Sequence, residues 1–218
     1  WSSDVCSSDL EESSIDSPTL ADCRSLGMQL RFVDRQSYRQ PGYLSKLAAE
    51  WAPDHIWIPE GGNSEFGISG AQDMLKGIEL SAYTHLCGAI GSGTTFTGLS
   101  RALLPHQEII GVCALKIPEP SAWLNSLLEL PSRGSRKILT QFHGGGFARY
   151  DQELLRFMNE FYQQYQIPTD FVYTAKLFRA VLQQLKEGAF PPHSELLCIH
   201  SGGLQGNRSL PPGSLIFT

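Results

Sequence analysis

The order of apolar and polar positions changes period repeatedly along the 218 residues, and each change marks an element. Met28 to Val33 alternates apolar with polar side chains, the pattern of a half-buried strand. Within Gln40 to Trp51 the apolar positions Leu44, Leu47, Ala48 and Trp51 recur at helical spacing, and Pro53 closes the run. His55 to Ile58 reads as a short apolar strand entering a Pro59–Gly62 turn. A helix is predicted over Phe66 to Leu80. Thr84 to Ile90 is the next strand, running into Gly91-Ser92-Gly93-Thr94-Thr95 and a helix that ends before Pro105. Glu108 to Leu115 is a continuous apolar strand. Residues 121–130 read as a helix, Pro131 to Lys137 as an exposed loop and Ile138 to Phe142 as a strand. Asp151 to Tyr165 and Thr174 to Leu185 are amphipathic helices, and Glu195 to His200 is the last strand.

Strands that alternate with helices predict an α/β fold with a mostly parallel open sheet and helices on both faces. Ligands of such sheets bind at the carboxyl ends of strands, and here four glycine-rich turns follow strands. The first ten residues, WSSDVCSSDL, fit no part of this pattern. They repeat Ser-Ser-Asp and lack the basic region and apolar core of a signal peptide, so they read as a foreign segment.

Composition narrows the classes. With 41% hydrophobic and 18% charged residues the chain is ordinary globular protein, long enough for one large domain or one domain and part of another. A net charge of -5 and scattered basic residues argue against a nucleic-acid partner. The densest basic cluster, Arg133, Arg136 and Lys137, reads as a solvated loop. No apolar run approaches the roughly 20 residues that span a bilayer, so no membrane partner is expected. Of the five cysteines none is spaced as CxxC. Cys87, Cys113 and Cys198 sit in apolar runs and read as buried thiols in strands, which suits a reducing, cytoplasmic compartment. The six histidines lack metal-ligand spacing, and His85 and His200 read as satisfied core or pocket residues; no metal site is expected.

The strongest chemical signal is the passage from strand through Gly91-Ser92-Gly93-Thr94-Thr95 into a helix. Glycines leave backbone N–H groups pointing inward, the helix start adds partial positive charge, and Ser92, Thr94 and Thr95 add hydroxyls. Together these suit a phosphate. The alternative is a helix start with no ligand. Three more turns, Glu60–Asn63, His143–Gly146 and His200–Gly203, add bare backbone of the kind that floors a flat ligand; the alternative is tight turns without a ligand.

The ordered set IPEGGN, GSGTTFTGL, a Gly-Gly-aromatic turn, PTDFVYTAK and IHSGG resembles the D-cysteine desulfhydrase and 1-aminocyclopropane-1-carboxylate deaminase family, from about Met28 to the end. The resemblance implies a fold-type II pyridoxal-phosphate enzyme, similar in architecture to the tryptophan synthase β chain, with pyridoxal 5′-phosphate as cofactor. It assigns residues 11–48 to the remainder of a small α/β domain and 49–218 to the large cofactor-binding domain. Ser92, Gly93, Thr94 and Thr95 would bind the cofactor phosphate. Tyr173 resembles the catalytic tyrosine beside the ring or substrate. Thr174 would face the pyridine nitrogen, where the desulfhydrases are expected to carry Thr and the deaminases Glu. His200, Ser201 and Gly202 would lie beside the ring, and Glu60, Gly61, Gly62, Asn63 and Phe147 would border the substrate.

Two departures qualify the resemblance. Phe147 stands where the family often carries a tyrosine, and Tyr150 lies three residues on. The Schiff-base lysine belongs to a GNK-like segment that does not occur here, so the chain reads as a C-terminal fragment, and none of its six lysines matches that position. The implied activity is β-elimination from a small amino acid such as D-cysteine, giving a 2-oxo acid, ammonia and sulfide, by a protein that is a homodimer at full length. The alternatives are a 1-aminocyclopropane-1-carboxylate deaminase and a non-catalytic, vestigial phosphate-binding domain. A nucleotide-binding domain fits less well, because the third spaced glycine and the acidic residue about 20 positions on are missing.

Overall fold

The structure is a computed structural model and describes residues 5–8, 18–118 and 121–217. The chain divides into two compact units, Trp1–Pro59 and Glu60–Thr218. In the first, β1 (Val5–Ser8) pairs in parallel with β2 (Gln29–Phe32), and α1 (Pro18–Ser25) connects them. Residues 1–4 and 9–17 lie outside the described residues, and with them most of the segment read as foreign. Two helices follow, α2 (Arg35–Tyr38) and α3 (Tyr43–Trp51). The Arg31 guanidinium lies 5.0 Å from the Trp51 ring centroid, a cation–π contact between β2 and α3.

The strand expected at His55 to Ile58 is not formed. Strand backbone needs a neighbour to take its hydrogen bonds, and no ladder includes these residues. Ile56 is 88% and Ile58 72% exposed, so their apolar composition reflects no burial within this unit.

The second unit is the α/β layer structure that the alternation predicts. Its elements are α4 (Glu65–Asp73), β3 (His85–Ile90), α5 (Thr94–Arg101), β4 (Glu108–Cys113), α6 (Ala122–Glu129), β5 (Ser135–Leu139), α7 (Gln152–Tyr165), α8 (Thr174–Lys186) and β6 (Leu196–Cys198). The sheet order is β5-β4-β3-β6, and every pairing is parallel. The continuous apolar runs of β3 and β4 take the two central places, where both faces are covered. On one face Leu86, Ile90 and Ile109 pack with Phe96, Leu99 and Leu127 from α5 and α6. On the other, Cys87, Ile110 and Val112 pack with Leu177, Ala180 and Val181 of α8. A third cluster joins α7 to α8 and the C-terminal segment through Met158, Phe171, Ala175 and Leu215.

Side-chain caps set the helix starts. Ser64 accepts from the Gly67 amide at 3.2 Å, Ser121 from Leu124 at 3.3 Å and Asp151 from Leu154 at 2.7 Å. The helix expected over Phe66 to Leu80 stops at Asp73. Beyond it the backbone tightens into successive three-residue hydrogen bonds, Met74 to Ala71, Leu75 to Gln72 and Lys76 to Asp73, which turn Leu75 into the core.

The expected strand Ile138 to Phe142 begins instead at Ser135. Pairing with β4 decides this, because Ile138 sits opposite Gly111 and the Ser135 amide reaches Gln107 O at 2.9 Å. Arg136 and Lys137 therefore lie on an edge strand, not in a solvated loop. Arg136 turns onto the end of α6, donating to the carbonyls of Leu128 and Leu130. Burial there lowers its pKa from the usual guanidinium value. Charged side chains on an edge strand also discourage pairing with a further chain.

Candidate functional site

Strand order reverses around β3. The chain leaves it for β4 on one side, then returns from β5 through α7 and α8 to β6 on the other. In open parallel sheets this switch point is where a crevice forms. The turns after β3 and β6 flank it.

At the end of β3, Gly93 has φ 92° and opens α5. The first hydrogen bond of the helix runs from the Thr97 amide to Gly93 O, so the preceding amides face outward from the helix start. Ser92 donates its one hydroxyl proton to Gly61 O at 3.2 Å. The 2.9 Å contact between Ser92 Oγ and Thr94 Oγ1 then has Thr94 as donor. Two hydroxyls and outward amides thus share one helix start, with Thr95 half-buried beside them.

Glycines admit the surrounding walls. A Cβ on Gly61 would fall 2.3 Å from Ser92 Oγ, which is how closely the Glu60–Gly62 turn packs on the serine. A Cβ on Gly91 would fall 2.8 Å from Tyr173 Oη and Cε1, so the phenol packs directly against bare backbone there. Burial, then the negative charges of Asp170 and Glu60, push the Tyr173 phenol above its ordinary value. It stays protonated at neutral pH and is a hydrogen-bond donor. Phe147 lies 6.1 Å from Tyr173, centroid to centroid, and is 58% exposed at the rim.

Sequence reasoning missed the residue that organises this wall, Asp170. Its carboxylate accepts from the amides of Val172 at 2.9 Å, Tyr173 at 2.8 Å and Thr174 at 2.9 Å, and from Thr174 Oγ1 at 2.6 Å. Thr174 Oγ1 accepts in turn from the Asp170 amide at 2.8 Å. Thr174 is fully buried, and its proton is committed to Asp170. An acidic residue four places before a helix-starting threonine is the legible signal, since carboxylates satisfy first-turn amides.

The turn after β6 is tied to the same wall. His200 Nδ1 accepts from the Gly202 amide at 3.2 Å, which leaves Nε2 to donate to Pro168 O at 2.8 Å. Gly203 lies so near Asp170 that a Cβ there would be 3.2 Å from its carboxyl carbon. Ser201 is exposed and Gly202 half-buried. Buried Asn207 completes the link, donating to Thr169 O at 2.9 Å and accepting from the Phe171 amide at 3.2 Å.

Beneath the third turn, Lys176 Nζ donates to Gly146 O at 2.8 Å. Burial lowers this lysine to about 8, against the pull of Asp170 and Asp151. Tyr150 packs edge-on against Phe171 at 5.3 Å. Among the described residues no three His, Cys, Asp or Glu side chains are grouped to hold a metal ion, and no helix is long and apolar enough to cross a membrane.

Turns at the ends of parallel strands, meeting at a reversal of strand order, place the chain in a structural class. It has the open parallel α/β fold of fold-type II pyridoxal-phosphate enzymes. It superposes on a crystal structure titled as an ACC deaminase homologue with a TM-score of 0.70 at 22% identity, covering 93% of this chain and 66% of that one. It also matches threonine deaminase isoform 2 from Solanum lycopersicum with a TM-score of 0.51 at 11% identity, covering 84% and 58%.

In sequence the chain resembles the D-cysteine desulfhydrase and 1-aminocyclopropane-1-carboxylate deaminase family. It is 26% identical over 165 residues to a Thermotoga maritima protein named as a candidate 1-aminocyclopropane-1-carboxylate deaminase, covering 68% of this chain and 52% of that protein. It is 26% identical over 162 residues to D-cysteine desulfhydrase from Klebsiella pneumoniae, covering 67% and 49%. The chain thus spans about half the length of these curated relatives. No family model matches it.

Proposed function

We propose that this chain is the phosphate-holding part of a pyridoxal-phosphate-dependent lyase or deaminase acting on a small amino acid. One observation carries the reading: the helix start at Gly93, with the Ser92 and Thr94 hydroxyls, lies beside Tyr173, which packs on Gly91, and beside the Gly61 turn, which packs on Ser92. That arrangement fits a phosphate ester carried on a flat ring. The outward amides and the hydroxyls of Ser92, Thr94 and Thr95 would hold the phosphate. Tyr173 would wall the ring and present a proton, and Phe147 and the Glu60–Asn63 turn would border the substrate. Pyridoxal phosphate bound there would supply the electron sink that lets a substituent leave an amino acid.

The finer reading is a D-cysteine desulfhydrase acting as a cytoplasmic homodimer. The residue type at position 174 supports it, since the resemblance puts threonine there in the desulfhydrases and glutamate in the deaminases, although in this structure the Thr174 hydroxyl is engaged by Asp170. The proposed activity is that of the protein at the length of its relatives, because no lysine here matches the family's Schiff-base position.

Visible absorption tests the reading, on this chain and on a version extended to the relatives' length, titrated with pyridoxal phosphate and then D-cysteine. The expected result is saturable, phosphate-competed binding by both and a D-cysteine-dependent spectral change with sulfide release in the longer one. Ammonia release from 1-aminocyclopropane-1-carboxylate instead would select the deaminase. Binding without either product would leave a vestigial pocket, and no binding by either protein would sink the proposal.

A further inference from the structure

The sheet carries a second chemistry away from this crevice. Cys87 on β3 and Cys198 on β6 are direct partners in the parallel ladder. Side chains in register on neighbouring strands point to one face, and their Cα atoms lie about 4.8 Å apart. A disulfide needs a Cα separation of roughly 4.4–6.8 Å, so the backbone already meets that requirement. Both residues are free thiols, and each shifts the titration of the other. Of the other described cysteines, Cys113 lies opposite Ile90 in the ladder, Cys23 lies in α1 and Cys6 lies in β1.

We propose that Cys87 and Cys198 form a reversible oxidation site that closes to a disulfide across the sheet when Cys198 meets a peroxide.

The two thiols have different roles. Cys87 is fully buried and Cys198 only partly, so a small oxidant reaches Cys198 first. Interaction with Cys87 lowers Cys198 from the ordinary cysteine value, while interaction with Cys198 and then burial raise Cys87. The thiolate is the reactive form, so Cys198 attacks and Cys87 resolves.

In the first step the Cys198 sulfur takes the terminal peroxide oxygen. The O–O bond breaks, sulfur loses two electrons, and the other oxygen leaves with a proton as water or an alcohol. In the second step the Cys87 sulfur attacks Cys198 sulfur, the S–O bond breaks, and the hydroxyl leaves with the Cys87 proton as water. A dithiol reductant reverses the bond by exchange.

The bond would act on the weakest strand of the sheet. β6 has three residues and, among the described residues, lies at an edge and pairs with β3 alone. It leads through Ile199, whose amide bonds Cys87 O at 2.9 Å, directly into the His200–Gly203 turn. The disulfide would anchor the strand that carries this turn.

The test treats the folded chain with one equivalent of hydrogen peroxide, then reads intact mass and a non-reducing peptide map. Support is the loss of two hydrogens, a linked Cys87–Cys198 peptide, reversal by dithiothreitol and a melting temperature raised by several degrees. Cys198→Ala and, as a second variant, Cys87→Ala should abolish the linked species, while Cys113→Ser should leave it in full. Sulfinic acid at Cys198 without the link, a link through another cysteine, or no reaction in folded wild-type protein would overturn the proposal. The wild-type map decides the matter even if a variant fails to fold.

Discussion

The turn after β3 and the turn after β5 are both glycine-rich, both end parallel strands, and are held in opposite ways. The Gly91–Thr95 turn leaves a central strand and feeds directly into a buried helix start. Gly61 and Tyr173 pack on it, and its own Ser92 and Thr94 hydroxyls are joined to each other. The His143–Phe147 turn leaves an edge strand and has no helix until Gln152. Its anchors include the His143 ring, which accepts from the Gly145 amide at 2.9 Å, and Lys176, which donates to Gly146 O from below. The first kind of turn is held rigidly, because its geometry is over-determined. The second kind keeps an exposed aromatic on a backbone that one buried amine helps to hold.

Four changes break or sharpen this contrast, in order of expected size. Gly91→Ala should act most strongly, since its methyl group overlaps Tyr173. The overpacking costs about 1–3 kcal/mol, and displacing the ring should weaken pyridoxal-phosphate binding about tenfold or more by that same energy scale. Equilibrium unfolding and a cofactor titration read the two effects. Unchanged affinity would mean that Tyr173 is no wall of the cup.

Lys176→Met tests the second turn through pH. Burial holds the folded-state pKa of Lys176 at about 8, below the ordinary lysine value. Below pH 8 both folded and unfolded chains carry the proton, and the cost of burying the charge is constant. Between about pH 8 and 10.4 the unfolded chain binds the extra proton, so stability rises with pH. A rise on the order of 1–2 kcal/mol is expected after allowing for residual solvation. Urea midpoints at pH 7.5, 8.5 and 9.5 should increase in the wild type relative to Lys176→Met. Parallel pH profiles would count against a buried, charged lysine.

Ser92→Ala removes a hydroxyl that joins Gly61 O to Thr94. The loss should be about 0.5–1.5 kcal/mol, seen as roughly 2- to 12-fold weaker phosphate competition in the same titration. Phe147→Tyr should be the smallest change. Its ring is mostly exposed, and substitutions at such positions stay within about 0.5 kcal/mol. A larger change in unfolding would show that the His143–Phe147 turn is as constrained as the Gly91–Thr95 turn.

The legibility of the chain follows the same divide. β3, α5, β4, α6, α7 and α8 lie where their periodicity puts them, because a buried face imposes its period on the sequence. β5 is displaced toward the N-terminus by three residues, since edge-strand register is set by the partner strand and not by local composition. His55 to Ile58 looked like a strand and is not one, because apolar residues pair only where a ladder is offered.

At the candidate site, the glycines and hydroxyls of the strand-to-helix turn were readable as residue types that suit a phosphate. The order of those turns, the parallel sheet and the phosphate-suited helix start were therefore determined by the sequence itself. Asp170 as the centre of four hydrogen bonds, Tyr173 lying on Gly91, and Lys176 buried under Gly146 were decided by tertiary structure. The contacts of Tyr173 with Gly91 and of Lys176 with Gly146 join positions far apart in the chain. They exist because the fold closes those distances and removes water, after which each buried donor must find an acceptor.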